Sequence, residues 1–214
     1  MRGSLGWAVR VVNFDDEGQA RLEATDLVVA DTESVEDPEH VEQSPNGIAL
    51  TVLGRGSAQV ERGLFARSRG FGVAALGSGV GEPDLSLTDV AVVATRRAAC
   101  GDIPAGSAGS CIDPGGQSRA AGSGLVATDG GSIVVEAFRV EGAEEAGLVV
   151  GRTGRLEARR GTATGNGIGI NVVDPDYDMT LLSDEVLVYG NGVDVARQDI
   201  VVPDAADFRG WLPQ

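Results

Sequence analysis

Apolar and polar residues alternate over short stretches of this chain, and the alternating stretches recur along its length. Residues two apart share one face of an extended strand, so this pattern predicts β-strands. No long stretch keeps a helical period, and Gly and β-branched residues are frequent, which disfavours helix. The clearest apolar pairs at this spacing are Leu27/Val29, Val90/Val92, Phe138/Val140 and Val186/Val188.

The strand pattern belongs to an internal repeat. LEATDLVVADT at 22–32 and LSLTDVAVVAT at 85–95 agree at the first Leu, at Thr-Asp and at the final Thr. Looser copies begin at positions 58, 133, 156 and 181, and the last three of these starts lie 23 and 25 residues apart. A repeat of this length built from short strands predicts one rung of a parallel β-solenoid, whose strands stack about 4.8 Å apart. The wider spacings indicate rungs with insertions.

A second recurring feature is the turn GNGIGINV at 165–172, echoed by GNGVDV at 190–195. Asn tolerates the left-handed backbone conformation and Gly adopts it freely, so Asn-Gly predicts a sharp bend between strands. Asn166 and Asn191 fall in the column that Thr32 and Thr95 occupy in earlier rungs. Stacked polar side chains in such a column are expected to hydrogen-bond from rung to rung. The rungs containing Ser68 and Ala143 show no clear match.

Most rungs also contain Gly followed by an apolar residue, at Gly47-Ile48, Gly72-Val73, Gly124-Leu125, Gly147-Leu148, Gly167-Ile168 and Gly192-Val193. With the repeat length, this cadence resembles the right-handed parallel β-helix proteins of the pectate-lyase-like group, over roughly residues 21 to 195. The cysteine-flanked loop and the sequence DIVVPDAADF are similar to those of uncharacterised bacterial secreted or surface members. The resemblance implies an all-β, right-handed parallel β-helix of about six or seven rungs.

We expect one domain over residues 1–214. Trp7, Val9 and Val11 alternate like a strand, so residues 1–20 are interpreted as an N-terminal rung or cap. The repeat rungs occupy 21–195, with long loop insertions at 31–46 and 96–123, and 196–214 are expected to form a last strand and a cap. In this interpretation the chain is the C-terminal portion of a longer extracellular or cell-surface precursor.

Charge and hydropathy exclude several classes of partner. The 214 residues carry a net charge of −15, which disfavours nucleic acid and anionic membranes. No run approaches the ~20 apolar residues of a membrane span, and the N-terminus does not have the pattern of a signal peptide. A polysaccharide or another cell-surface component is the expected partner, and the sequence does not indicate the oligomeric state.

The second insertion contains the two cysteines, Cys100 and Cys111, which flank ten turn-forming residues. Two thiols and one distant His cannot complete a zinc site, so a disulfide that closes the loop is the favoured interpretation and free thiols are the alternative. A disulfide would require an oxidising compartment. Insertions on a solenoid often build its binding surface, so the arginines of this insertion are candidate binding residues: Arg96, Arg97 and Arg119.

Just before the second strand of each rung stand Asp26, Arg62, Asp89, Ala137, Arg160 and Glu185. The charges mostly alternate in sign, which predicts ion pairs between neighbouring rungs. Related lyases and hydrolases use clustered acids, with a nearby base in the lyases. Only Asp89, Arg62 and Arg160 resemble such a site. The alternation favours a structural role over catalysis.

The acids of DPDYDMTLLSDE at 174–185 superficially resemble a calcium loop, with Asp174, Asp176 and Asp178 at alternate positions. Met179 stands where such a loop needs Gly, and Leu181 is assigned to the next rung, so a turn between rungs with solvated acids is the better interpretation. Calcium is the alternative, and no other cofactor is expected. The one histidine, His40, lies in an acidic loop and has no catalytic partner nearby in the sequence.

The sequence therefore favours a non-catalytic extracellular or cell-surface β-helix module that is structural, adhesive or carbohydrate-binding. The alternative is a lyase or hydrolase of acidic polysaccharide whose site is degenerate or lies upstream. A calcium-stabilised adhesin is a third class, and it depends on the acids at 174–178.

Overall fold

The computed structural model describes residues 7–14, 18–33, 47–77, 81–97 and 122–197. These residues form thirteen strands and one short 3₁₀ helix, Met179–Leu182. The strands are β1 Trp7–Asn13, β2 Arg21–Ala30, β3 Ile48–Gly54, β4 Ser57–Ala66, β5 Phe71–Leu76, β6 Asp84–Val93, β7 Ser123–Thr128, β8 Ser132–Glu141, β9 Ala146–Val150, β10 Arg155–Thr164, β11 Ile168–Val172, β12 Asp184–Tyr189 and β13 Val193–Ala196.

The strands form two parallel sheets. The odd-numbered strands stack in the order β1-β3-β5-β7-β9-β11-β13, and the even-numbered strands form a six-stranded sheet in the order β12-β10-β8-β6-β4-β2. Each rung therefore adds one strand to each sheet, which is the architecture of a parallel β-solenoid. The predicted all-β solenoid of six to seven rungs is confirmed.

The register confirms the columns expected from the repeat. Gly63 pairs with Val90, Val90 with Phe138, and Phe138 with Gly161. The column continues to Leu27 at one end and Val186 at the other. The loop insertions between rungs do not shift this alignment.

Every even-numbered strand bends at one residue in the left-handed backbone conformation. The six residues have φ between 50° and 58° and are the charged column of the sequence: Asp26, Arg62, Asp89, Ala137, Arg160 and Glu185. None is glycine, so each position costs roughly 1–2 kcal/mol of backbone strain. The bend places two consecutive residues outward, as with Thr88 and Asp89, between inward-facing apolar residues. It divides each even strand into two halves with separate alternation.

A polar column lies one residue after a second left-handed position at the end of these strands. It runs through Thr32, Ser68, Thr95, Ala143, Asn166 and Asn191, so Ser68 and Ala143 occupy this column although they have no clear match in the sequence repeat. The Asn191 carboxamide oxygen accepts from the Asn166 backbone N–H at 2.9 Å and from its side-chain Nδ2 at 3.0 Å. The Asn166 oxygen accepts from the Ala143 N–H at 2.9 Å. The predicted rung-to-rung bonding is confirmed for the asparagines, whereas the hydroxyls of Thr32 and Ser68 have no hydrogen-bond partner among the residues that the structure describes.

Apolar side chains fill two separate clusters. The larger lies between the two sheets and takes the inward residues of both. The smaller lies on the outer face of the seven-stranded sheet and consists of Ile48, Leu53, Phe71, Ala74, Leu76, Val126, Ala146, Val149 and Ile168. All residues of β3, β5, β7, β9 and β11 are consequently buried. Their sequences are near-continuous apolar runs, as is typical of strands buried on both faces, and are interrupted only by the buried polar residues Thr51, Ser123, Thr128 and Asn171.

The last rung departs from the prediction at its first half. Leu181, the predicted start of this repeat, lies in the 3₁₀ helix, and β12 begins only at Asp184. Leu182 of the helix is buried and takes the place of an inward strand residue. Within the described ranges, no helix is long and apolar enough to cross a membrane. The predicted C-terminal strand and cap, His40, Cys100, Cys111 and Arg119 lie outside the described residues.

Candidate functional site

An open groove of about 600 Å³ follows the bend of the six-stranded sheet. We call it the bend groove. Its lining comes from five successive strands, β4, β6, β8, β10 and β12, and so it extends along the stacking direction of the solenoid. The lining residues are Gly63, Asp89, Val90, Ala91, Ala137, Phe138, Arg139, Arg160, Gly161, Thr162, Glu185 and Leu187.

The residue that follows each bend forms the floor of the groove. Val90 and Phe138 are nearly buried there, and Gly161 leaves room for the Phe138 ring. A Cβ placed on Gly161 would lie 2.2 Å from a ring carbon of Phe138, so the aromatic ring packs against the bare backbone of the next rung. The floor is therefore apolar and closely packed.

Polar and charged side chains form the two sides of the groove. The bend residues Asp89, Arg160 and Glu185 lie along one side, and Arg139 and Thr162 lie along the other. Leu187 continues the second side and is 61% exposed. The groove thus combines hydrogen-bonding side chains with an apolar floor.

The two arginines of the groove are already paired. The Arg160 guanidinium donates to Glu136 on the preceding rung, and Arg139 donates to Glu141 at 2.8 Å. Within the described residues, Asp89 and Glu185 have neither a hydrogen bond nor an ion pair through their carboxylates. The free charge of the bend groove is therefore negative.

Arg62 lies next to the groove on the bend of β4. Its Nε and one terminal nitrogen donate to the two oxygens of Asp26 at 2.7 and 3.0 Å, and its third nitrogen donates to Glu61 at 2.6 Å. The hydrogen bond from Arg62 holds the pKa of Asp26 below its ordinary value. The prediction of ion pairs between neighbouring rungs of this column is confirmed for Asp26 and Arg62, whereas Arg160 pairs with Glu136 rather than with Glu185.

Two further arginine–carboxylate pairs join the same two rungs. Arg67 donates to both oxygens of Asp31, with its terminal nitrogen at 2.8 Å, and Arg69 pairs with Glu33. Exposed pairs of this kind contribute little individually. Their common spacing of 36 residues fixes the register across the first insertion.

The free carboxylates of the groove do not form a pair suited to glycoside hydrolysis. Asp89 and Glu185 are three rungs apart, or about 14 Å at 4.8 Å per rung. Retaining hydrolases need two carboxyl groups about 5 Å apart and inverting ones about 6.5–9.5 Å apart. Arg62 and Asp89 are on adjacent rungs, whereas Asp89 and Arg160 are separated by the rung of Ala137, so the three catalytic candidates share a column without forming one cluster.

The calcium candidates serve local hydrogen bonds. Asp178 caps the 3₁₀ helix, where its Oδ1 accepts from the Thr180 N–H at 3.0 Å and from the Thr180 hydroxyl at 2.7 Å. These bonds lower the pKa of Asp178. Asp174 accepts from the Asp176 N–H at 2.9 Å. Over the described part of the chain, no group of three or more His, Cys, Asp or Glu residues could hold a metal ion.

Arg96 and Arg97 lie at the base of the second insertion. The Arg97 N–H donates to Glu144 at 2.8 Å, and the Gly122 N–H donates to Glu145 at 3.3 Å. Two adjacent carboxylates therefore accept hydrogen bonds from Arg97 and Gly122. Burial raises the pKa of Glu145, while the Gly122 bond and the charge of Arg97 act in the opposite direction. The roles of Glu144 and Glu145 have no signal in the sequence, because they depend on a contact across rungs.

The bend groove was also not identified as such. Asp89 and Arg160 were selected by charge, whereas Phe138, Arg139 and Leu187 gave no chemical signal. The sequence does contain a signal for the bend, namely two consecutive outward residues between apolar ones. The chain matches no protein-family model, no curated protein and no solved structure.

Proposed function

We propose that this chain is a non-catalytic extracellular or cell-surface β-solenoid module, structural or adhesive, that binds a carbohydrate chain in the bend groove. The observation that carries the proposal is the groove itself, which crosses five rungs and has an apolar floor between polar sides. Ligand sites in proteins commonly combine such an apolar surface with a few placed polar groups.

The chemistry of the groove suits a sugar. Carboxylates such as Asp89 and Glu185 accept hydrogen bonds from sugar hydroxyls, and the hydroxyl of Thr162 both donates and accepts. The carbon-bound hydrogens of a sugar ring are apolar enough to pack on the partly exposed Ala91 and Ala137 and on the exposed Leu187. The spread of these groups over several rungs favours a chain of sugars over a single one.

Catalysis is the less favoured function. A hydrolase of acidic polysaccharide would need two carboxyl groups within about 10 Å, and the free acids of the groove are too far apart. Arg160 and Arg62 are held in ion pairs by Glu136 and Asp26, so neither is free to act as a base. A role in binding requires neither an acid pair nor a free base.

Binding of soluble oligosaccharides, measured by titration calorimetry together with assays for reducing ends and unsaturated uronate products, tests the proposal. We expect binding without product formation. Asp89→Ala should weaken binding by about tenfold, since a hydrogen bond to a charged group contributes roughly 1.5–3 kcal/mol. Asp84→Ala is the matched control, because Asp84 is an exposed acid of the same strand outside the groove. Product formation that Asp89→Ala abolishes would overturn the non-catalytic function.

A further inference from the structure

We infer that the bend groove selects an uncharged polysaccharide chain over an acidic one. This inference rests on the proposed function and assigns a ligand class to the same site. It departs from the expectation of an acidic polysaccharide that the enzyme alternative carried.

The first argument is the balance of charge in the groove. Both arginines that line it are neutralised by carboxylates, Arg160 by Glu136 and Arg139 by Glu141. The carboxylates of Asp89 and Glu185 have no such partner among the described residues. The charge of Arg62 also acts on Asp89, but Arg62 donates its hydrogen bonds to Asp26 and Glu61. An acidic sugar placed along the groove would therefore meet more negative than positive charge.

The second argument concerns the one other arginine on the same bend column, Arg62. All three of its guanidinium nitrogens donate, two to Asp26 and one to Glu61. Binding of Arg62 to a ligand carboxylate would break its bidentate pair with Asp26. Bidentate arginine–carboxylate pairs are among the strong hydrogen-bonded contacts in proteins. No free guanidinium is thus in place on this column to receive a uronate.

The third argument is the field of the whole molecule. The chain carries a net charge of −15, so its potential opposes the approach of any polyanion. An uncharged sugar chain does not experience this repulsion, and its hydroxyls donate readily to carboxylates. The same two free acids that repel a uronate are hydrogen-bond acceptors for a neutral sugar.

The length of the groove indicates a chain. Its lining runs from Gly63 on β4 to Leu187 on β12, which is four rung spacings or about 19 Å. Affinity should therefore rise with the number of sugars until the groove is filled. A ligand of one or two sugars would contact only part of the lining.

Titration calorimetry with the full chain at low salt tests the inference, using neutral gluco-, manno- and xylo-oligosaccharides and oligogalacturonates of equal length. We expect at least one neutral series to bind about tenfold or more tightly than the uronates, since like charges in contact are costly. Added salt should reduce the difference by screening. In the double variant Asp89→Asn, Glu185→Gln the ratio should fall toward one, while Asp84→Asn should leave it unchanged.

The outcomes are distinguishable. Uronates that bind as tightly as the neutral series, or more tightly, would overturn the inference and leave carbohydrate binding in place. A ratio that does not change in the double variant would also overturn it, because the two acids would then not set the selectivity. If no oligosaccharide of either class binds, the proposed function itself fails.

Discussion

At the scale of single residues, backbone conformation and the position of glycine determine the structure of the bend more than side-chain charge does. Gly161 is required by space, because the Phe138 ring occupies the position that a Cβ would take. The left-handed bend residues, in contrast, are chemically diverse and include aspartate, arginine and alanine. The repeat places these residues in one column, but their charges do not reveal the bend, because left-handed geometry is expected mainly of glycine.

Gly161→Ala tests the packing of the groove floor. Without a clash, glycine-to-alanine changes stabilise by about 0.4–1 kcal/mol through the unfolded state. Here the forced shift of Phe138 should dominate and destabilise the protein by about 1–3 kcal/mol in chemical denaturation. Thr162→Ala, at the adjacent half-exposed position, should change stability by less than about 0.5 kcal/mol. A neutral or stabilising Gly161→Ala would show that the ring does not pack there.

Glu145 provides a prediction on pH. Its raised pKa means that folding disfavours the charged form, so the wild type loses stability as the pH rises from about 4.5 through the higher folded value. Glu145→Gln removes this titration and still accepts the Gly122 bond. We expect the variant to melt at a higher temperature than the wild type at pH 7 and at the same temperature well below pH 4.5.

Thermal melts of both proteins across that pH range measure the effect. Glu144→Gln is the matched control, since Glu144 is exposed and should show no such rise. A Glu145→Gln protein that is less stable than the wild type at pH 7 would mean that the attraction of Arg97 outweighs burial.

At the scale of elements, Tyr177 and the 3₁₀ helix cover the first half of β10, which does not pair with β12. The Tyr177 hydroxyl accepts from the Leu156 N–H at 3.1 Å and donates to the Leu156 carbonyl. These are groups of β10 that a further strand would otherwise bind. The 3₁₀ helix follows at once and buries Leu182. Tyr177 therefore covers a strand edge that would be open to pairing with another chain.

Tyr177→Phe should destabilise the protein by about 1–2 kcal/mol, because it leaves two backbone groups of a buried residue without partners. Chemical denaturation measures this change, and light scattering should show greater self-association of the variant. Tyr189→Phe is the control, since Tyr189 is 54% exposed and its hydroxyl has no partner among the described residues. Equal stability of the two variants would contradict the edge-covering role.

At the scale of the whole molecule, the repeat predicted the stacking because identical columns recur at fixed spacing, as Val90, Phe138 and Val186 illustrate. The second apolar cluster was not predicted. Runs such as IALTVLG at 48–54 have no alternation, which is typical of strands buried on both faces, but the run itself does not show which residues pack on the second face. The bend groove could not be predicted as a site, because its lining comes from five strands that are adjacent only after folding.

Every site described above depends on the stacking of side-chain columns from rung to rung. The distance between two spin labels placed in one column tests this stacking directly. Arg21 and Arg155 are exposed and lie four rungs apart in one column. Spin labels on Arg21→Cys and Arg155→Cys, with Cys100 and Cys111 changed to Ser, should give by pulsed electron paramagnetic resonance a single distance near 19 Å. A distribution centred beyond about 30 Å, well past four spacings of 4.8 Å, would contradict the parallel stacking of rungs.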